Sequence, residues 1–256
     1  MNIKSILAAT FIAVGLSSAA SAETVRIGIA TEPYPPFATP DAEGNYVGWE
    51  IDMTKAICEE AKLDCKFMAT AWDSIIPTLQ KEEIDVIAAS LSITEDRLKV
   101  IDFSNKYYQT GVSIAAAKGS GLEPTPKGVA GKIIGVQSAS IHQAYALKYF
   151  KDAKIREYQT QDEANQDLFA GRIDGTLADV LVLDEFLKSD EGQLCCESAG
   201  LVAKDEAIHG PGVGFGLRKG SDVLKTKLNA AIDAVRASGK YDEISKKYFD
   251  FNIFGE

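Results

Sequence analysis

Histidine is scarce in this chain of 256 residues, which has only His142 and His209. Imidazole-based acid–base chemistry and histidine-held zinc therefore have little to draw on. Cysteine is scarce too: the four are Cys58, Cys65, Cys195 and Cys196, with no histidine or further cysteine beside them at metal-ligand spacing. Positive charge is outweighed, with 27 Lys and Arg against 37 Asp and Glu, a formal charge of −10. A phosphate backbone or an anionic membrane surface needs a basic partner, so neither is expected to bind here. Tandem repeats, low-complexity tracts, Gly-x-Ser-x-Gly, His-Glu-x-x-His and a phosphate loop are all missing. The Gly-x-Gly within GPGVGFG (210–216) precedes a strand-like run instead of following one, which removes a dinucleotide site. No metal or cofactor is expected.

The one long apolar run lies at the N-terminus. Lys4, the apolar stretch 6–16 and the small residues Ala20-Ser21-Ala22 are the three parts of a secretory leader cleaved after Ala22. The stretch is too short to cross about 30 Å of hydrocarbon, and no cysteine follows it to take a lipid. Loss of Lys4 takes the formal charge to −11. Export places the cysteines in an oxidising compartment. Cys58 and Cys65 flank a helix-to-strand reversal, which favours a local disulfide. For the adjacent Cys195 and Cys196, a vicinal disulfide and two free thiols both stay open.

With 46% apolar and 25% charged residues over the full sequence, the chain reads as a globular protein of one large or two small domains. Strand and helix patterns alternate along it. Strands are predicted at 24–30, 65–69, 84–89, 111–117, 132–137, 155–158, 175–178 and 213–217. Helices are predicted at 49–62, 73–80 with Asp73 as N-cap, from Thr94 onward, and at 140–150, 162–170, 180–187, 221–238 and 241–248. Such alternation implies α/β sheets with mainly parallel strands. The Pro/Gly-containing loop 118–127 separates two runs of these units, which implies two lobes.

Ligands in such folds sit beyond the carboxyl ends of strands, so the residues there carry the functional reading. After 84–89 come Ser90-Leu91-Ser92-Ile93-Thr94 and Arg97. Free amides, hydroxyls and one guanidinium make a carboxylate cradle, although Ser/Thr capping with a surface arginine fits the same residues. Ser138-Ala139-Ser140 opens another helix in the same way. Asp179 follows 175–178 and suits an ammonium, or serves as a plain N-cap. Glu32 and Tyr34 follow the first strand, and Tyr34 with Trp72 offers aromatic faces to a flat or cationic group.

Taken together, Ser90-Leu91-Ser92-Ile93-Thr94 with Arg97, Asp102-Phe103-Ser104, Tyr107-Tyr108, the Cys58/Cys65 spacing, Ala170-Gly171-Arg172-Ile173-Asp174, Gly216-Leu217-Arg218-Lys219 and the segment 246–251 (KKYFDF) resemble the periplasmic solute-binding proteins for polar amino acids. The resemblance is to the lysine/arginine/ornithine-, histidine-, arginine- and octopine/nopaline-binding members. It implies the type II two-lobed fold, each lobe a mainly parallel sheet flanked by helices, with lobe I at 23–112 plus 211–256, lobe II at 113–210 and the ligand in the cleft between them. It implies a monomer in the periplasm that closes on one ligand and docks on the permease of an ABC importer.

By position, the resemblance implies that Arg97, the Ser92 N–H and the amides of Ser140 and Ile141 hold an α-carboxylate. Asp179 with Ser90 and Ser92 would hold an α-ammonium, and the side chain would lie between Tyr34 and Trp72 with Glu32 near its tip. His142 stands where some relatives have Gln, Ala89 where the lysine/arginine/ornithine binders have Ser, and the loop before Tyr34 is one residue shorter than in the arginine and opine binders, which leaves Thr31 or Glu32 to face the ligand. The expected ligand is a cationic L-amino acid, with an opine such as octopine or nopaline as the alternative. An exported cyclohexadienyl dehydratase-like enzyme is the rival of another class. It needs a general acid, and no pair of acids is pushed toward separate roles, so no enzyme is expected. A sensor domain is not expected either, since no membrane segment follows Glu256.

Overall fold

A computed structural model describes residues 23–255, so the expected leader and its cleavage after Ala22 lie outside the described residues. The chain runs β1 (Glu23–Ala30), β2 (Thr39–Pro40), β3 (Tyr46–Val47), α1 (Trp49–Glu60), β4 (Leu63–Thr70), a short 3-10 turn (Trp72–Ser74), α2 (Ile75–Gln80), β5 (Val86–Ile87), α3 (Glu95–Val100), β6 (Asp102–Tyr108) and β7 (Val112–Ala117). It continues through β8 (Ile133–Gln137), α4 (Ile141–Tyr149), β9 (Lys154–Tyr158), α5 (Gln161–Phe169), β10 (Gly175–Asp179), α6 (Val180–Lys188), α7 (Asp190–Cys195), β11 (Cys196–Leu201), α8 (Glu206–His209), β12 (Val213–Leu217), α9 (Asp222–Ala237) and α10 (Lys240–Ser245).

Two five-stranded sheets form two lobes, in the orders β4-β1-β5-β12-β6 and β11-β7-β10-β8-β9. Each is mixed. The expected parallel run is present as β4-β1-β5 in one and β10-β8-β9 in the other, and antiparallel pairings complete both sheets. The chain leaves the first sheet between β6 and β7, earlier than the loop 118–127, and returns between β11 and β12.

The cores follow from the sequence patterns. β12 (VGFGL) is buried at every position. α9 buries Leu228, Ala231, Ile232 and Val235, a stripe at helical spacing. The first lobe packs Ile27, Ile29, Phe37, Trp49 and Phe215 in one cluster, and the second packs Ile114, Val136, Leu177 and Phe150 in another. Far from the strand ends that face the other lobe, Arg26 grips Asp85 through Nε (2.9 Å) and Nη2 (2.8 Å), and Arg218 adds a contact at 3.1 Å. These bonds, the Arg26 side chain first, hold the Asp85 carboxyl down to about 2.

The return crossover is anchored tightly. The Ile93 amide donates to the Gly212 carbonyl (2.9 Å) and the Gly214 amide to the Leu91 carbonyl (3.3 Å). Gly210 sits at φ +67, and a Cβ there would collide with the Ile93 carbonyl oxygen, so both conformation and space demand glycine.

Two local readings change, and one that stood open is decided. Asp73 is not an N-cap: its carboxylate accepts from the Ser74 hydroxyl inside the 3-10 turn, and α2 starts only at Ile75. β6 and β11 had no predicted strand, because their buried and exposed residues do not alternate cleanly. Cys195 and Cys196 are joined as a vicinal disulfide.

Cys58 on α1 and Cys65 on β4 form the expected local disulfide, with their Cα atoms 6.2 Å apart. Closing so short a loop removes about 2.5 kcal/mol of unfolded-state entropy. The double substitution Cys58→Ser/Cys65→Ser is therefore expected to lower unfolding stability by at most that amount in urea titration. A larger loss would place the pair in a wider role than a local staple.

Candidate functional site

The carboxyl ends of β1, β4, β5, β8 and β10 converge between the lobes. They enclose a cleft of about 550 Å³ of non-atom space, open solvent included, which is lined by Glu32, Tyr34, Trp72, Ser90, Ser92, Arg97, Ser140, Ile141, His142 and Asp179. These are all of the ligand-site residues expected from sequence. Ala89 also lines it, as do Ala30, Ala38, Glu50 and Gln137, which the sequence reading did not single out. Thr31 is not part of the lining, so of Thr31 and Glu32 it is Glu32 that faces the cleft.

Arg97 is set by α3. Thr94 caps that helix through its hydroxyl, which accepts from the Arg97 amide (3.3 Å). The guanidinium then turns into the cleft, donating to the Ser92 carbonyl (3.0 Å) and, across the cleft, to the Ala139 carbonyl (3.4 Å). It lies 5.5 Å from the centre of the Trp72 ring, and among the described residues it has no ion-pair partner. Burial pulls its pKa down to about 10, against the opposing pull of Asp179. Isolated Ser92 pairs with Val213 as an antiparallel bridge in which the flanking residues make the hydrogen bonds. That geometry leaves the Ser92 N–H outside the ladder.

On the facing lobe, Ser140 caps α4, accepting from the Gln143 amide (3.1 Å) and donating to the Gln137 carbonyl (2.6 Å). A helix start leaves its first amides without intrahelical partners, and the Ile141 amide at the start of α4 lies in the cleft lining. Asp179 occupies an N-cap position, yet its side chain makes no capping bond to α6. The carboxylate instead accepts from the Tyr34 hydroxyl of the first lobe (2.6 Å), and its other oxygen lies 3.6 Å from His142 Nε2. The plain capping reading of Asp179 thus fails. Burial, with Asp179 beside it, drives the Tyr34 hydroxyl pKa well above its ordinary value.

Trp72 crosses the cleft as well, its indole N–H donating to the Ser138 carbonyl (3.0 Å). Its backbone N–H is shared between the Glu32 oxygens, at 3.1 and 3.2 Å. Glu32 is thereby anchored in the cleft wall.

Glu50 is the residue that sequence reasoning missed. It is 1% exposed and accepts from the Ser90 amide (2.8 and 3.0 Å), the Ser90 hydroxyl (3.2 Å) and the Tyr107 hydroxyl. Burial raises its pKa, and the Tyr107 and Ser90 bonds oppose that rise. Ser90 holds a left-handed backbone at φ 52, and Ala139 on the other lobe does so at φ 56. Such conformations cost non-glycine residues of order 1–3 kcal/mol. Glu50 sustains the first by accepting both Ser90 donors, and Gln143 the second by accepting the Ala139 amide (2.9 Å).

Two charge clamps thus face each other across a cleft between two lobes. The family model for bacterial extracellular solute-binding proteins, family 3, matches residues 25–251. The chain belongs to that family. It is 41% identical to the lysine/arginine/ornithine-binding periplasmic protein of Escherichia coli K12, over 99% of each chain. It is 40% identical to the L-arginine-binding protein of Pseudomonas aeruginosa, over 94% of this chain and 93% of that protein. Among solved structures, an ancestral arginine-binding protein bound to arginine superposes with a TM-score of 0.80 at 33% identity, covering 90% of this chain and 99% of that one. The two sheets are therefore the two lobes of a periplasmic binding-protein fold.

Removing the Glu50 acceptor while keeping an apolar side chain of similar bulk tests its role. Glu50→Leu leaves the Tyr107 hydroxyl and the Ser90 amide unmatched, each buried orphan costing about 1–3 kcal/mol. The urea midpoint should fall with an unchanged slope. An unmoved midpoint would show that these bonds carry no net stability.

Proposed function

We propose that this chain is the extracytoplasmic substrate-binding component of an ABC importer, capturing a cationic L-amino acid of the arginine, lysine, ornithine or histidine class by lobe closure. The observation that carries this reading is the charge inventory of the cleft, where Glu32, Glu50 and Asp179 face one guanidinium, Arg97. A zwitterion uses Arg97 for its carboxylate and one acid, Asp179, for its ammonium. The Glu32 carboxylate remains for a positive group at the far end of the ligand. A buried charge needs a partner once water leaves, so the excess acid selects a cation. The names of the relatives support the same class.

In this reading the carboxylate sits on Arg97, the Ser92 N–H and the amides at Ser140 and Ile141. The ammonium sits on Asp179 with Ser90 and Ser92, displacing the Tyr34 hydroxyl from the carboxylate. The side chain runs between Tyr34 and Trp72 toward Glu32. We place lobe I at 23–112 plus 211–256 and lobe II at 113–210, acting as a monomer in the periplasm after cleavage at Ala22. The family supports a binding role and not catalysis. An ABC permease is the partner this role requires.

Two measurements test the reading. Arg97→Ala removes the cation from a desolvated carboxylate, a loss of roughly 2–5 kcal/mol for a truncated buried pair. Calorimetry on the folded variant should show no measurable binding of any α-amino acid, and near wild-type affinity would reject the clamp.

Ligand ranking is the second. A guanidinium is flat, stacks on Trp72 and takes a fork of bonds from Glu32. A Lys ammonium needs several acceptors around it, and Ala89 offers none from its side chain. Arginine or an arginine-derived opine should bind more tightly than lysine, and both far more tightly than glutamate. Glu32→Gln should erase the preference for arginine over citrulline. A wild-type preference for glutamate or a neutral amino acid would overturn the charge assignment and leave only the α-amino acid clamp.

A further inference from the structure

His142 is 4% exposed and lines the cleft, and its Nε2 has no hydrogen-bond partner among the described residues. Asp179 Oδ1 lies 3.6 Å from it, in ion-pair range. The other Asp179 oxygen is taken by the Tyr34 hydroxyl at 2.6 Å. One carboxylate therefore stands between a hydroxyl, an imidazole and the place of the ligand ammonium. We propose that His142 is a positioning residue for Asp179, and that its imidazolium competes with the ligand ammonium for that carboxylate, which makes capture proton-linked. This rests on the assignment of Asp179 as the ammonium site.

The charged and titratable surroundings of His142 support the coupling. Asp179 at the end of β10 is in ion-pair range. Tyr34, from the loop after β1, is bonded to that same carboxylate. Arg97, from α3, reaches across the cleft to the Ala139 carbonyl just before α4, and Glu50 on α1 acts on Asp179 through charge. On α8, His209 feels the charge of His142, Asp179, Asp205 and Lys204. Its ring stacks on Tyr145 of α4, with centroids 5.1 Å apart. Among these groups, Asp179 is the acid within ion-pair distance of the imidazole.

The sign follows from competition. With the cleft empty, a proton from solvent on His142 is stabilised by Asp179. With an ammonium on Asp179, the imidazolium faces a like charge and the carboxylate is already spent. Binding therefore expels the proton, and affinity falls on acidification. The comparison is made at about pH 7.5 and about pH 5.5, on either side of the range in which an imidazole ordinarily changes charge.

Two measurements decide the matter. First, imidazole NMR on the untagged, ligand-free protein follows two histidines, assigned with His142→Gln. Asp179→Asn is expected to lower the His142 titration midpoint by about one pH unit, the lower end of a close-charge effect. An unmoved midpoint overturns the proposal without any reference to a ligand. Second, calorimetry with L-arginine is run at both pH values. The wild type is expected to weaken several-fold on acidification, while His142→Gln holds its own affinity within about twofold across the same interval. Equal weakening in both proteins overturns the proposal. If L-arginine fails to bind the wild type at either pH, the ligand-class assignment fails, and the NMR titration still decides whether His142 and Asp179 are coupled.

Discussion

An arginine guanidinium buried in a cleft without a carboxylate beside it is the constraint around which this structure is organised. Among the described residues the Arg97 guanidinium makes hydrogen bonds only to carbonyl oxygens and lies near an indole, while burial weakens its hold on its proton. Neutral acceptors do not compensate a desolvated charge as an anion does. The site is thus assembled with one ionic interaction missing, and in the proposed function a carboxylate from outside supplies it. The same logic runs in the opposite sense at Asp179, whose contacts are a hydroxyl and an imidazole that carries charge only when protonated.

The two proposed clamps sit on different sheets, and in the proposed function that placement makes binding a matter of closure. Arg97 belongs to the lobe of β5, and Asp179 to the lobe of β10. Cross-cleft bonds from Tyr34, Trp72 and Arg97 to Asp179, Ser138 and Ala139 define the closed arrangement. Two of these end on backbone carbonyls around Ala139, which is held left-handed by the Gln143 side chain. Strain at Ser90 and Ala139 thus falls at the edges where the lobes meet, where it aims amides and carbonyls that a relaxed backbone would turn elsewhere.

Most of the site was legible because its residues follow strand ends. Arg97, Asp179, Trp72, Tyr34 and the 138–140 segment each come directly after a predicted strand or open the next helix, and resemblance to a family assigned them roles. Glu50 was not legible. An acid in the first turn of a helix reads as a partner of the helix dipole, and its contact with Ser90 spans 40 positions. Nor were the left-handed residues, because neither Ser90 nor Ala139 is a residue type that signals positive φ. Among the strands, β12 was read to its ends because an all-buried run leaves no ambiguity. β6 was missed because it pairs with β12 through two register shifts, so its polar and apolar residues lose a simple period.

The sheet orders carry a consequence for how the chain reaches its native state. Every strand of β11-β7-β10-β8-β9 comes from the continuous stretch between Val112 and Leu201. That lobe can close as soon as the stretch is available. The other sheet places β12, its last strand in sequence, between β5 and β6, and α9 packs on α1. Its centre stays open until nearly the whole polypeptide is present, and its contacts carry the larger loop-closure cost. During vectorial delivery of an exported chain, the half that holds Arg97 is consequently the later one to consolidate, and the capacity to grip a ligand from both sides arrives only with the C-terminal segment.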